Sequence, residues 1–144
     1  MATERTAEVT WHGSLTEGSG TIESTTSGVI APQPVTWGSR AEDPEGRTSP
    51  EDLIAAAHAS CFAMALSQAL AEAGNPPDEL RTSARVTFVP GTGITKSELT
   101  VRGRVPGTDE DTFRQAAEEA KDGCPVSQAL AGVPEITVDA RLDA

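Results

Sequence analysis

The stretch that decides the fold is SPEDLIAAAHASCFAMALSQALAEAG, residues 49–74. Ser49 is a good N-cap, Pro50 suits the first helical position, and Asp52 three residues after Ser49 can complete a capping box. Nothing from Pro50 to Ala73 breaks a helix, and Gly74 followed by Pro76 and Pro77 ends it. At ~1.5 Å per residue such a helix is about 36 Å long. From Leu53 to Leu66 it is apolar or small on nearly every side, with His58 and Ser60 the exceptions. A helix of that kind is expected to be surrounded by protein. In so short a chain, a second copy is the simplest way to surround it.

On either side the pattern changes to short alternating runs. Thr6 to Trp11 places Ala7, Val9 and Trp11 on one face of a strand. Gly18 to Gly20 makes a turn, Thr21 to Ser27 suits a second strand, and Val35 to Arg40 a third, before the polar loop Glu42 to Arg47. Beyond the helix, Ala84, Val86 and Phe88 alternate, Gly91 to Gly93 turns, and Ile94 to Val105 returns as a hairpin. Thr108 and Asp111 repeat the capping-box pattern before a helix carrying Phe113, Ala116, Ala117 and Ala120 on one face. Asp122 and Gly123 end it, a short helix starts at Pro125, and Ile136, Val138, Ala140 and Leu142 form a last strand. Strands paired in hairpins predict an α+β fold with antiparallel sheets, and the length predicts one domain over residues 1–144.

Acidic residues outnumber basic ones by 22 to 11, for a net charge of −11. That balance argues against nucleic acid and anionic membrane surfaces as partners, since both are bound by Lys/Arg patches. With 3% aromatic residues and no tyrosine, the core must come from Ala, Val, Leu and Ile. No run of 18 apolar residues reads as a membrane span, and the first residues lack the apolar region of a secretory signal. The expected compartment is the cytoplasm. There a cysteine pair is more often catalytic, redox-sensing or metal-binding than a permanent bridge.

The chain has two cysteines, Cys61 within the long helix and Cys124, 63 residues later (124 − 61). Cys61 taken alone reads as a small buried hydrophobe. Cys124, directly before Pro125, stands at the N-cap of a new helix, where the dipole and unpaired N–H groups favour a thiolate. Arg40 and Glu51, each taken alone, read as solvated charges, and Glu51 also suits the first turn of the helix. His58, three residues before Cys61, invites a Cys–His hydrolase, but a hydrogen-bonded core histidine is the better reading. His12, His58, Cys61 and Cys124 offer zinc-binding atoms without zinc-site spacing.

Two motifs bring these residues together. The helix SPEDLIAAAHASCFAMAL around Cys61 and the stretch CPVSQAL from Cys124 resemble the two cysteine motifs of the osmotically inducible protein C (OsmC) family, and VTWHGSLTEGSGTI from Val9 resembles its N-terminal part. The resemblance covers nearly the whole chain in the expected order. It implies an intertwined α+β homodimer, with long central helices, sheets outside and active sites at the subunit interface. It also implies a thiol-dependent peroxidase that reduces organic hydroperoxides and, more weakly, hydrogen peroxide. Cys61 would be the peroxidatic cysteine, Cys124 the resolving one, and Arg40 with Glu51 the activating ion pair. An external dithiol would be the reductant, with no cofactor or metal. The position of Arg40 resembles OsmC proper rather than the sister organic hydroperoxide resistance (Ohr) group, and Val35 and Ala41 stand where aromatic side chains are expected.

The implied chemistry fits the residue types. A cysteine in apolar surroundings has its pKa raised, and a nearby cation restores the attacking thiolate. Glu51 and Cys61 are ten residues apart, about 15 Å along one helix, so one arginine cannot easily serve both in one chain. Two helices crossing antiparallel would bring Glu51 of one copy toward Cys61 of the other. The alternatives are a redox-sensing or binding protein that uses the same pair as a switch, and a hydrolase built on Cys61 and His58.

Overall fold

The computed structural model describes residues 1–143, and the chain divides into two compact units, one from Met1 to Leu53 and one from Ile54 onward. In the first, β1 (Ala7–His12), β2 (Ser19–Thr25) and β3 (Gln33–Val35) form an antiparallel sheet in that order. β1 is exposed along its whole length, so the alternation of Ala7, Val9 and Trp11 does not bury a face within this unit. Trp11 lies against Gly20, where a β-carbon would come within 2.5 Å of the indole ring. Only glycine lets the ring sit there.

The expected third strand ends early. Val35 closes β3, and residues Trp37–Ala41 form the short helix α1, so Arg40 sits on a helix rather than after a strand. The cause is local. Thr36 accepts from Ser39 N and Ser39 Oγ accepts from Thr36 N, both at 3.0 Å, and this reciprocal cap turns the chain into a helix. Ser39 Oγ also donates to the Thr48 carbonyl at 3.1 Å, tying α1 to the segment that enters the long helix.

That helix, α2, runs Pro50–Glu72 as the sequence predicts, and Asp52 N donates to Ser49 Oγ at 3.2 Å. It is long and apolar enough to cross a membrane by length and composition. Its buried stripe, His58, Phe62, Leu66 and Leu70, recurs every four residues and packs into the second unit. The other side stays open in this chain: Leu53 is 38% exposed and Met64 72%. The helix is therefore not surrounded within one copy.

In the second unit β4 (Glu79–Val89) and β5 (Gly93–Arg104) form the expected hairpin, longer at its start than the alternation suggests. α3 covers Glu110–Gly123 and α4 Pro125–Ala129, and β6 covers Glu135–Leu142. The cap of α3 is Asp109, which accepts from Thr112 N at 2.7 Å, one residue later than the Thr108 pattern predicts. β6 pairs with β5 in parallel, from Lys96 opposite Glu135 to Gly103 opposite Leu142. This corrects the expectation of purely antiparallel sheets. The helices α3 and α4 make a crossover, and a crossover returns the chain in the same direction.

The core lies between this sheet, α2 and α3. Leu99 and Val101 of β5, Phe113, Ala117 and Ala120 of α3, and Ala140 of β6 close around Phe62 and Leu66. Each large side chain buried here stabilises the fold by roughly 1.5–3 kcal/mol. Gly103 makes room for Phe113, since a β-carbon there would come 2.6 Å from the ring.

Candidate functional site

Cys124 is held from both sides. Its N–H bonds the Ala120 carbonyl at 2.8 Å, ending α3, and its own carbonyl accepts from Gln128 N at 3.0 Å, starting α4. With extended backbone and Pro125 at the first helical position, it caps the new helix as the sequence predicts. Its side chain is wholly buried. Cys61, on α2, is only half-buried and faces an open cavity of about 540 Å³ lined with Met64, Gln68, Glu119 and Pro125. The two sulfurs lie 3.0 Å apart as free thiols in S–H···S contact. A disulfide, at ~2.04 Å, needs only a small further approach. The pair that the sequence could not show to meet does meet.

The two thiols differ in acidity. Burial pushes Cys61 up, and its hydrogen bond with Cys124 adds to this, against a backbone hydrogen bond at Val126. Burial also opposes ionisation of Cys124, but the bond with Cys61 and the Ser127 and Val126 groups outweigh it and hold that thiol below its ordinary value. The Cys124 side chain itself closes no cap hydrogen bond on α4. Of the two, Cys124 is the more acidic thiol in this chain. Cys61 needs a further cation to become the nucleophile.

His58 is a core residue, as read, and its partners are the serines that the sequence did not single out. Nδ1 lies 2.6 Å from Ser97 Oγ, and Nε2 lies 2.7 Å from Ser127 Oγ. Imidazole and Ser97 are fully buried and Ser127 nearly so. Burial lowers the His58 pKa and keeps the ring neutral. Ser97 was legible in one respect: it shares the inward face of β5 with Leu99 and Val101, where a hydroxyl needs a partner. Both ring nitrogens are taken by serines, which leaves His58 no free nitrogen with which to activate Cys61. Among the described residues no group of three His, Cys, Asp or Glu is gathered for a metal.

In the first unit Arg40 and Glu51 form the ion pair that their positions alone did not reveal. Nε donates to Oε1 at 2.9 Å and Nη2 to Oε2 at 3.0 Å, with Glu51 buried in the first turn of α2. Arg40 also lines an apolar cavity of about 310 Å³ with Val9, Trp11, Val35, Trp37 and Leu53. Val35 leaves space there, and Trp37 supplies an aromatic wall that sequence reasoning missed. Leu53 belongs to this cavity, while the exposed Met64 lines the open cavity beside Cys61.

Comparison with known proteins adds four findings. The sequence model of a family described as OsmC-like protein matches residues 42–139. Peroxiredoxin OsmC of Escherichia coli (strain K12) is 44% identical over 145 aligned positions, covering 99% of each chain. Among solved structures, an organic hydroperoxide resistance protein from Elizabethkingia anophelis, with crystallant-derived thiocyanate bound, aligns at 25% identity and TM-score 0.65 over 99% of both chains. The organic hydroperoxide resistance protein OhrB of Bacillus subtilis aligns at 25% identity and TM-score 0.64, over 96% of this chain and 98% of its own.

Proposed function

The chain belongs to the OsmC family, and on that premise we propose that it is a peroxidase that reduces organic hydroperoxides to alcohols with its own two cysteines. The observation that carries this reading is the 3.0 Å approach of Cys61 and Cys124 as free thiols, one beside an open cavity and the other buried behind it. The sulfur beside the cavity attacks the peroxide, and the buried one resolves the product.

The Cys61 thiolate attacks one peroxide oxygen, the O–O bond breaks, and Cys61 becomes a sulfenic acid. Arg40, oriented by Glu51, favours the thiolate and stabilises the departing alkoxide. Cys124 then condenses with the sulfenic acid, releasing water, and an external dithiol reduces the disulfide by exchange. Sulfur carries the electrons, so the cycle uses no prosthetic group. The apolar cavity beside Arg40 supports organic peroxides over hydrogen peroxide, since Trp11, Trp37 and Val9 offer contacts to a hydrocarbon group.

The assembly is part of the proposal. Cys61 needs a cation, while Arg40 is engaged with Glu51, ten residues before Cys61 on α2. The open face of α2 with Leu53 and Met64 supports an intertwined homodimer, in which long helices pack centrally and Arg40 of one copy serves Cys61 of the other. We take residues 1–144 to act as one domain, in the cytoplasm, where thiols are kept reduced.

The test is steady-state reduction of cumene hydroperoxide against hydrogen peroxide, with a dithiol, in wild type and Cys61→Ser. Faster turnover of the organic peroxide, lost in the variant, is the expected result. A disulfide that forms once without multiple turnover would instead support a redox switch built on the same thiols.

A further inference from the structure

The helix α4 is five residues long, far below the length at which a helix holds by itself in water, so what docks it decides where Cys124 stands. Among the described residues, two side-chain pairs join this helix and its cap to α2. Cys124 Sγ meets Cys61 Sγ at 3.0 Å, and Ser127 Oγ meets His58 Nε2 at 2.7 Å. The spacing on the two segments is the same: Cys61 follows His58 by three residues (61 − 58), and Ser127 follows Cys124 by three (127 − 124). The pairs are therefore neighbouring rungs between segments that run in opposite directions.

The imidazole rung has a fixed base. Nδ1 lies 2.6 Å from Ser97 Oγ on β5, the central strand of the β4–β5–β6 sheet. A hydroxyl can donate or accept, so both bonds form whichever ring nitrogen carries the proton. With both nitrogens engaged, the ring cannot turn without losing a bond. Ring and Ser97 are wholly buried, where no water replaces a lost partner. Position is thus carried from the middle of the sheet, through a rigid ring, to Ser127, one helical turn from Cys124.

The two rungs respond differently to oxidation. When Cys61 becomes a sulfenic acid, an oxygen enters on its sulfur, and every contact that ends on that sulfur changes with it. The His58–Ser127 bond touches neither sulfur and stays as it was. It is the side-chain rung left to hold Cys124 within bonding distance while the pair is half oxidised.

Resting on the peroxidase reading, we propose that His58 is a positioning residue for the resolving step: its bond to Ser127 keeps α4 docked on α2, and with it Cys124 in reach of the oxidised Cys61. In that step the Cys124 sulfur–hydrogen bond and the Cys61 sulfur–oxygen bond break, and one sulfur–sulfur bond forms. The hydrogen and the hydroxyl leave together as water. The thiol is oxidised and the sulfenic acid reduced, so no further oxidant enters. His58 exchanges no proton here; it raises the local concentration of one sulfur at the other.

The experiment mixes reduced protein with one equivalent of cumene hydroperoxide and follows sulfenic acid and disulfide formation as separate phases. In Ser127→Ala the first phase is expected to keep its wild-type rate and the second to slow roughly tenfold or more. Ser127→Thr, which keeps the hydroxyl, should recover most of the second phase. Ser97→Ala removes a bond from the same buried ring but leaves the rung to α4, and its second phase should slow by no more than about threefold. His58→Leu, apolar and of similar volume, removes the rung from the other side and carries the same expectation should Ser127→Ala fail to fold. A second arm equilibrates the Cys61–Cys124 disulfide with glutathione buffers, with no peroxide present, where Ser127→Ala should make it about tenfold easier to reduce. A wild-type second phase in Ser127→Ala overturns the proposal. So does equal slowing in the two alanine variants, because the loss would then follow buried bonding in general rather than the rung to α4. A wild type that shows no first phase sinks the peroxidase reading instead; the glutathione equilibrium then judges the rung alone, and an unmoved value in Ser127→Ala overturns it.

Discussion

Arg40 holds Glu51 by a fork, donating from Nε to Oε1 at 2.9 Å and from Nη2 to Oε2 at 3.0 Å. The fork fixes the guanidinium plane, and the buried carboxylate of Glu51 makes that orientation costly to leave. A lysine cannot reproduce it, because an ammonium offers charge without a planar pair of donors. Arg40→Lys should therefore lower the rate of the peroxide step by roughly a hundredfold, and Glu51→Gln by about tenfold, each read as kcat/KM for cumene hydroperoxide. A lysine variant with wild-type kcat/KM would remove Arg40 from the mechanism.

Cys124→Ser should separate the two halves of the cycle. Its first turnover with peroxide should match wild type in amplitude, while the Cys61 sulfenic acid persists for trapping by a carbon nucleophile and steady-state turnover is lost. Full steady-state activity in that variant would refute the resolving role.

The folded state should weaken in mild acid through His58. The unfolded histidine binds a proton near pH 6.5. The folded one, its pKa lowered by burial, binds it only at lower pH. In that window the unfolded chain holds more protons, so stability is full above about pH 6.5 and declines as pH falls. The thermal midpoint should follow this slope, and His58→Gln should flatten it even if its midpoint is lower throughout.

Gly103→Ala should destabilise by about 1–3 kcal/mol through overpacking. Its new methyl group meets the Phe113 ring, itself fully buried between sheet and helix. Urea midpoints for Gly103→Ala and Gly28→Ala separate this from backbone strain, since a β-carbon at Gly28 meets nothing within 4 Å but sits at φ +73°.

The exposed methionine on α2 gives a test of assembly. Sedimentation of the wild type should report a dimer at micromolar concentration, and Met64→Asp should shift it toward monomer, because a carboxylate would then be buried without a partner. A wild-type monomer would leave Arg40 without a second copy to serve.

What the sequence determined by itself is local. Ser49, Pro50 and Gly74 bound α2 because caps and breakers act within a few residues, and Pro125 sets Cys124 at a helix start for the same reason. The two cysteine motifs carried the family because their residue types and order survive without any knowledge of contacts. Local reading erred where two local signals competed: the strand-like run after Val35 yielded to the Thr36–Ser39 cap, and Thr108 yielded to Asp109. Tertiary structure decided the rest. The parallel seat of β6, the meeting of Cys61 with Cys124 across 63 positions (124 − 61), and the bonding of His58 to Ser97 and Ser127 join residues far apart in the chain. Each depends on which faces close around Phe62 and Leu66, and hydrophobic burial chooses faces without encoding a partner's position in the local sequence.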